Sequence, residues 1–461
     1  MSTILKCISP VDGTVFAERP VMEPDSVRTA LARARAAQKE WAGLPLDDRI
    51  KAVQAGVEAL GAMGDETVVE LARMMGRPVR YGGEFGGVKE RADYMASIAG
   101  EALAPIITED SGDFERRILR EPHGIVFVIA PWNYPYLTAI NTVAPALIAG
   151  NAVILKHATQ TLLAGERMVR AFTGAGIPSD LFQNVFLDHP TTEALIAEGS
   201  FDFINFTGSV NGGRAIERAA AGTFTPIGLE LGGKDPGYVM NDADLDWAVD
   251  TLMDGALFNS GQCCCGIERI YVAESRFDEF VEKATAWASK LKLGNPLDPE
   301  TTIGPMANKR FAETVRAQIA DALAKGARGL VDPKLFPEDD GGAYLAPQIL
   351  VDVNHDMDVM REESFGPVVG IMPVKDDDEA VALMNDSKYG LTASLWTADP
   401  ERAARIGARI ETGTVFMNRA DYLDPSLCWT GCKETGRGGS LSVIGFHNLT
   451  RPKSYHFRKT K

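Results

Sequence analysis

From residue 124 onward, short apolar segments alternate with segments that have the apolar spacing of a helix. GIVFVIA (124–130) and NAVILK (151–156) read as buried strands, whereas LTAINTVAPALIAG and LLAGERMVRAFTGAG read as helices. Parallel strands that are covered on both faces lose their polar alternation, so this order predicts a doubly wound, mostly parallel sheet. A second α/β series begins after ELGGKDP, which predicts two α/β units with a seam near residue 236.

Length and charge narrow the class of protein. A chain of 461 residues exceeds one simple core, and a net charge of −16 argues against nucleic acid or an anionic membrane as partner. Residues 122–155 carry no Asp, Glu, Lys or Arg, but prolines and glycines break them into pieces too short for a membrane helix. Six cysteines without CxxC or Cys/His spacing, and an N-terminus without a leader pattern, predict a reduced, cytoplasmic chain with no metal site.

Half of the cysteines stand together in FNSGQCCCGIER (258–269). A nucleophilic cysteine needs thiolate character, access and a partner, and successive side chains point in different directions, so one of Cys263, Cys264 and Cys265 is expected to face a pocket. The alternative is three small buried residues, because free cysteine packs as a small hydrophobe. Composition and spacing alone do not choose among the three.

Two glycine-rich segments follow apolar strands. In GLELGGKDP (228–236), Glu230 stands among apolar residues, where a raised pKa suits a general base; a solvated turn or helix-capping glutamate is the alternative. In FTGSVNGGRAI (206–216), the residues Gly208, Ser209 and Gly213 open a helix whose N–H groups could face a phosphate. The motif is not GxGxxG, so on its own it is weak.

Two polar residues come at the ends of buried strands. In PWNYP (131–135), the Asn133 amide could donate to a developing oxyanion. Lys156 ends the next strand, at the carboxyl edge where open sheets bind nucleotides.

In this order, the segments resemble the aldehyde dehydrogenase superfamily from about residue 10 to 455. The motifs that carry the resemblance are PWNYP, NAVILK, FTGS followed by Gly213, ELGGK, GQxC, EESFGP and WTGCKETG. The family motif Gly-Gln-any-Cys places the nucleophile at Cys264. The resemblance implies a Rossmann-like cofactor domain, a second α/β catalytic domain and a small β oligomerisation arm.

The resemblance also implies a mechanism. The Cys264 thiolate attacks the aldehyde, the Asn133 amide and the Cys264 N–H hold the oxyanion, and the adduct loses hydride to give a thioester. Glu230 then activates the water that hydrolyses the thioester. The remaining residues implied to hold the cofactor are Lys156 at the adenosine ribose, Gly208, Ser209 and Gly213 at the pyrophosphate, Glu363 at the nicotinamide ribose, Phe365 beside the nicotinamide and Trp132 along its channel.

One departure from the family concerns cofactor choice. Many members carry Lys-Pro-x-Glu after this strand, whereas this chain has Lys156, His157, Ala158 and Thr159. A glutamate there would repel a 2′-phosphate, while Lys156 and Thr159 could accept one. Both NADP and NAD are therefore expected to serve, with NADP slightly favoured.

Another departure concerns the substrate. The residues expected along the aldehyde tunnel are Tyr134, Thr138, Asn141 and Trp429, with Arg419 and Asp421 in a nearby loop. Their polarity predicts a semialdehyde or another polar aldehyde, with Arg419 as the anchor for a carboxylate. The alternative for Arg419 is a structural ion pair.

The resemblance divides the chain into three units. Residues 1–109 and 125–236 are expected to form the cofactor-binding domain, and 237–430 the catalytic domain. Residues 110–124 and 431–461 are expected to form an oligomerisation hairpin and tail, which implies a homodimer or homotetramer. Oxidation could join Cys264 to Cys263 or Cys265 in a reversible disulfide; core packing of Cys263 and Cys265 is the alternative.

Two other functions stay open on the sequence. A relative that passes its acyl group to CoA or phosphate would not need a water-activating base, so Glu230 favours hydrolysis. A non-catalytic nucleotide-binding member would not need Cys264 or Glu230.

Overall fold

The computed structural model describes residues 3–460. The helices are α1 (Pro24–Ala42), α2 (Leu46–Gly61), α3 (Gly64–Met75), α4 (Phe85–Ala102), α5 (Pro135–Ile148), α6 (Leu162–Gly174), α7 (His189–Ala197), α8 (Val210–Ala220), α9 (Leu245–Leu257), α10 (Phe277–Ala288), α11 (Lys309–Ala324), α12 (Asp358–Arg361), α13 (Asp377–Asn385), α14 (Pro400–Gly407) and α15 (Ser442–Asn448). The strands are β1 (Ile4–Ile8), β2 (Val15–Pro20), β3 (Ile106–Asp110), β4 (Phe114–Pro122), β5 (Ile125–Ala130), β6 (Ala152–His157), β7 (Phe182–Asn184), β8 (Phe203–Thr207), β9 (Ile227–Glu230), β10 (Asp235–Val239), β11 (Ile267–Ala273), β12 (Arg328–Gly329), β13 (Gln348–Val351), β14 (Val368–Val374), β15 (Tyr389–Gly390), β16 (Thr392–Trp396), β17 (Thr414–Met417), β18 (Cys432–Lys433), β19 (Gly436–Arg437) and β20 (Thr450–Arg458).

The first sheet has the strand order β19-β9-β8-β5-β6-β7. Its pairs are parallel except β19 with β9. β5 and β6 are buried along their whole length, as their unbroken apolar sequences predict. The chain adds β6 on one side of β5 and later β8 on the other, and open α/β sheets bind ligands at the carboxyl ends of strands at such a reversal. PWNYP follows β5 and FTGS spans the end of β8, so both motifs reach this edge.

The second sheet has the order β12-β13-β14-β11-β10-β16-β17 and is parallel except for β12 with β13. The chain crosses from the first sheet to the second within Leu231–Lys234, between β9 and β10. This crossing lies close to the seam predicted near residue 236. The α/β class predicted from the sequence is therefore confirmed.

A third sheet is antiparallel, with the order β20-β4-β3. β20 pairs with β4 from Thr450 opposite Pro122 to Arg458 opposite Phe114. Apolar side chains of this sheet stay exposed, among them Ile106, Ile107 and Phe457. β3 belongs to this sheet, although the predicted boundary assigned residues up to 109 to the cofactor domain.

The long uncharged stretch is confirmed as strand, helix and strand, namely β5, α5 and β6. Within residues 3–460, no helix combines the length and the apolar character that a bilayer crossing requires.

Candidate active site

The cysteine triplet follows a strained turn between α9 and β11. Asn259, Ser260 and Gly261 have φ values of 52°, 58° and 69°, so three successive residues adopt the left-handed region. A Cβ on Gly261 would lie 2.2 Å from the Gly366 carbonyl oxygen, which leaves room for glycine alone. Gln262 fixes the turn, because its Nε2 donates to the Asn259 carbonyl at 3.0 Å and its Oε1 accepts from the Ala307 N–H at 2.7 Å.

The turn leaves one of the three thiols more open than the others. Cys263 and Cys265 are buried, with 8% and 1% of their surface exposed, whereas Cys264 is partly exposed. Hydrogen bonds from the thiols of Cys263 and then Cys265 lower the pKa of Cys264, outweighing the opposing effect of burial. The structure thus distinguishes Cys264 from its neighbours on physical grounds.

The three sulfur atoms lie within 4.8 Å of one another. This spacing would also suit a soft metal ion. That the chain has no metal site therefore stays a prediction from the sequence.

Asn133 lies in the loop after β5, close to the cysteine turn. Its Nδ2 donates to the Gln262 carbonyl at 3.2 Å, which leaves its second amide hydrogen free. The Cys264 N–H also has no acceptor among residues 3–460. These two donors, an amide hydrogen and a backbone N–H, could meet an oxygen that becomes negative during attack on a carbonyl.

A buried ion pair, which the sequence did not reveal, braces the Asn133 loop. Arg77 Nη1 lies 2.7 Å from Glu84 Oε1, and another guanidinium nitrogen of Arg77 donates to the Asn133 carbonyl. Glu84 Oε2 accepts the N–H groups of Tyr136 and Leu137, at the start of α5, at 2.9 and 2.7 Å. The loop and the helix after it are thereby held by one carboxylate.

Glu230 ends β9 and is buried. Burial raises the pKa of its carboxyl above the usual range, against smaller opposing effects of hydrogen bonds from Ser440 and Thr207. The Thr207 hydroxyl lies 3.4 Å from Glu230 Oε2. Glu230 and Cys264 line the same cavity, which has a volume of about 240 Å³.

Most of the predicted substrate residues line this cavity. Its lining includes Tyr134, Thr138, Asn141, Trp429 and Asp421.

Arg419 is placed differently from the expectation. It does not line this cavity; its guanidinium is exposed and stacks on Tyr422, with the carbon 3.6 Å from the ring centre. The reason is local: β17 ends at Met417, and Asn418 adopts a φ of 53° that turns the loop just before Arg419.

The lining of the cavity includes a cationic side chain, Arg91, that was not predicted from the sequence. Arg91, on α4, is buried and lines the cavity with Cys264 and Glu230. A signal was present in the sequence: Arg91 falls among Val88, Ala92 and Met95, so it lies on the apolar face of its helix.

Lys156 and α8 present groups that could hold part of a dinucleotide. Lys156, at the carboxyl end of β6, is buried and has no hydrogen bond or ion pair among residues 3–460. Burial lowers its pKa to about 8. Thr159 follows three residues after Lys156 and begins the short 3₁₀ helix Thr159–Thr161. Ser209 caps α8 by accepting from the Gly212 N–H at 3.2 Å, and the preceding Gly208 leaves the first turn open to an anion. A Cβ on Gly213 would lie 2.7 Å from a Leu231 methyl, so this glycine lets α8 approach the crossing segment.

Glu363 and Phe365 are held at the other end by the crossing segment. Lys234 forms a buried ion pair with Glu268, whose carboxylate accepts the N–H groups of Ser364 and Phe365 at 2.8 Å each. Glu363 Oε1 accepts the Gly233 N–H at 3.1 Å, and burial raises its pKa to about 8.

Aromatic side chains adjoin this end. The Trp132 ring stacks on Phe311 with centres 5.1 Å apart and meets the edge of Phe365 at 5.4 Å. The unpaired buried ammonium of Lys156, the open first turn of α8 and these rings fit a dinucleotide, which carries a pyrophosphate between two nucleosides and an aromatic ring at each end.

A partly exposed cysteine and a buried glutamate that share a cavity beside such a sheet edge characterise dehydrogenases that act on carbonyl groups. The chain belongs to the aldehyde dehydrogenase family, whose sequence model matches residues 2–455. It is an NAD(P)-dependent aldehyde dehydrogenase, and the activity, the enzyme class and the cofactor type predicted from the sequence are confirmed.

Three relatives illustrate the likeness. The succinate-semialdehyde dehydrogenase [NADP(+)] of Deinococcus radiodurans is 33% identical over 98% of this chain and 95% of its own length. The succinate semialdehyde dehydrogenase [NAD(P)+] Sad of Escherichia coli is 32% identical over 96% of this chain and 95% of its own. Among solved structures, the NADP-dependent glyceraldehyde-3-phosphate dehydrogenase of Bacillus halodurans, complexed with NADP, matches with a TM-score of 0.91 and 32% identity. That match covers 99% of this chain and 96% of that one.

Proposed function

We propose that this enzyme oxidises a polar aldehyde to a carboxylic acid through a thioester on Cys264. The observation that carries the proposal is that Cys264 and Glu230 line one cavity, while Asn133 contacts the Gln262 carbonyl, two residues before Cys264, and keeps a second amide hydrogen free. In the first step the Cys264 thiolate forms a bond to the aldehyde carbon, and the carbonyl electron pair moves onto oxygen. The second amide hydrogen of Asn133 and the Cys264 N–H hydrogen-bond that oxyanion.

The second step gives the thioester. The nicotinamide supplies an acceptor for the hydride that the adduct loses, and the carbonyl reforms on the carbon bonded to Cys264. Trp132 and Phe365 would hold and orient the ring, and Glu363 would hold its ribose, when the cofactor is bound. Glu230 then takes a proton from water, the resulting hydroxide attacks the thioester carbon, and the Cys264 thiolate leaves. A carboxyl with a raised pKa accepts that proton more readily than an ordinary one.

Hydrolysis is favoured over transfer of the acyl group to CoA or phosphate because a buried base faces the thioester site. No finding favours a non-catalytic role. Purified enzyme is mixed with an aldehyde panel and NADP, and the absorbance of the reduced nicotinamide is followed. Oxidation without added CoA or phosphate is expected, and an absolute requirement for either would overturn the hydrolytic proposal.

The substrate is proposed to be a semialdehyde or another polar aldehyde. Thr138 and Asn141 on α5 are polar residues that line the cavity together with Trp429. Two similar proteins act on succinate semialdehyde by their names, which agrees with this class.

For the cofactor, a slight preference for NADP is proposed. Lys156 is an unpaired ammonium, Thr159 offers a hydroxyl, and residues 156–159 contain no carboxylate to repel a 2′-phosphate. A bound phosphate would favour the charged form of Lys156. Steady-state kinetics with both cofactors test this, and a clearly higher kcat/KM for NAD would overturn it.

We also propose that the enzyme is a homodimer or homotetramer and that it is located in the cytoplasm. The exposed Ile106, Ile107 and Phe457 lie on an antiparallel sheet with unpaired outer edges, a surface suited to a second subunit. A Cys264 thiolate also needs a reducing compartment to stay reduced. We also propose the predicted division into cofactor domain, catalytic domain and arm, with β3 assigned to the arm. Light scattering at working concentration would contradict the oligomer if it gave the mass of a monomer.

A further inference from the structure

Arg91 is the one cationic side chain in the lining of the substrate cavity, within residues 3–460. Its Nη1 donates to the Leu137 carbonyl at 2.9 Å and to Asn141 Oδ1 at 3.1 Å. In that part of the chain no carboxylate forms an ion pair with it, and its Nε and Nη2 make no hydrogen bond. A buried charge without a partner is costly, so the unused donors of Arg91 point to a negatively charged ligand.

Asn141 provides a second unused donor in the same place. Arg91 donates to its Oδ1, so the amide orientation is fixed and Nδ2 faces elsewhere. Asn141 is 1% exposed and lines the cavity, and its Nδ2 has no hydrogen-bond partner among the described residues. A planar guanidinium beside an amide N–H matches the two oxygens of a carboxylate.

Asp421 and Asp254 line the cavity too and would favour an ammonium group if both were charged. Burial raises the pKa of Asp421 to about 8, so this carboxyl is largely neutral at pH 7. Burial also raises the pKa of Asp254, which is exposed to solvent and so screened. Burial raises the pKa of Glu230 as well. The guanidinium of Arg91 keeps its charge throughout this range.

We propose that Arg91 and the Asn141 amide bind the carboxylate of the substrate while its aldehyde reaches Cys264. The chain is thereby selective for aldehydes that carry a carboxylate, and Arg91 takes the role that the sequence assigned to Arg419. This inference rests on the proposed function and specifies the substrate class of that site.

The test compares three aldehydes of equal chain length: succinate semialdehyde, its methyl ester and 4-aminobutanal. Wild type is expected to prefer succinate semialdehyde. Arg91→Met is expected to lower kcat/KM for succinate semialdehyde by about 10- to 100-fold, the usual worth of hydrogen bonds to a charged group. The loss should fall on KM, because a carboxylate remote from the reacting carbon binds equally before and during reaction. The methyl ester should change little, and Arg91→Lys should restore part of the loss.

Two variants separate binding from folding. Arg49→Met is the matched control, because Arg49 Nε donates to the Ile148 carbonyl at 2.9 Å at the other end of α5, away from the cavity. It should leave the ratio between the acid and its ester unchanged. Asn141→Asp keeps the contact to Arg91 but places a carboxylate beside it, so it should lower activity on the acid more than on the ester.

Equal losses on acid and ester in Arg91→Met, or a wild-type preference for 4-aminobutanal, would overturn the anchor. Inactivity of wild type on every aldehyde would overturn the proposed function instead. In that case calorimetry with succinate alone still decides the anchor: binding that Arg91→Met abolishes supports it, and no binding to wild type refutes it.

Discussion

Replacement of Glu230 by glutamine tests the second half of the mechanism. Glutamine has the shape of glutamate and can still accept from the Thr207 hydroxyl, now 3.4 Å from Oε2, so packing in the variant is preserved. What is lost is a proton acceptor, whose usual contribution is about 10²- to 10⁴-fold. By the factor of ten per 1.36 kcal/mol, this is about 3 to 5 kcal/mol on the barrier to thioester hydrolysis.

The assay is rapid mixing with aldehyde and NADP. Formation of the thioester does not need Glu230, so the variant should release one reduced nicotinamide per active site in a burst and then turn over slowly. In wild type the hydrolytic step should speed up as pH rises through the raised pKa of Glu230, because only the ionised carboxylate accepts the proton; the variant should lack this rise. Glu217→Gln, at an exposed ion pair with Arg437, is the matched control. Absence of a burst, or wild-type turnover after it, would refute the assignment of Glu230 to hydrolysis.

Three further results are expected. Cys264→Ser should abolish the burst while Cys263→Ser retains it, measured by the same rapid mixing; activity in the first variant would move the nucleophile elsewhere. Glu84→Gln leaves Arg77 without its buried partner and loosens the Asn133 loop, so steady-state kinetics should show kcat about 10²-fold lower with little change in KM, since displacement by about 1 Å costs this much; a change in KM alone would contradict a role in orienting Asn133. Peroxide should join two thiols of the triplet, since the sulfurs of Cys263 and Cys265 lie 3.5 Å apart, and mass spectrometry should show the loss of two hydrogens within that peptide. An unchanged peptide mass would exclude this disulfide.

The sequence predicted the sheets well because their strands are unbroken apolar runs, as in β5 and β6, whose burial depends on composition alone. It could not choose among the three cysteines without the family motif. Which sulfur is open depends on three successive left-handed residues, and only Gly261 among them carries a sequence signal for that conformation.

The substrate-binding residues were harder to predict, because the direction in which a side chain points from its loop or helix decides whether it meets the ligand. Arg419 had the right charge in the right loop, but the turn at Asn418 sends it to the surface against Tyr422. Arg91 and Cys264 are 173 residues apart in the sequence. Only the packing of α4 on α5 brings it to the cavity. Arg77 and Glu84 are only seven residues apart, but their contacts to the Asn133 loop join segments that are distant in sequence and could not be predicted either.

The segment that crosses between the two sheets links Glu230, the proposed base, to Glu363, a proposed cofactor-binding residue. Glu230 ends β9, and three residues later the Gly233 N–H holds Glu363, while Lys234 ties the Phe365 loop through Glu268. A Cβ on Gly232 would lie 2.2 Å from Glu363 Oε1, so a side chain at this position would displace the Glu363 carboxylate. The proposed proton acceptor, Glu230, and the proposed ribose-binding carboxylate, Glu363, are both attached to this segment, so we expect a substitution there to alter hydrolysis and cofactor binding together.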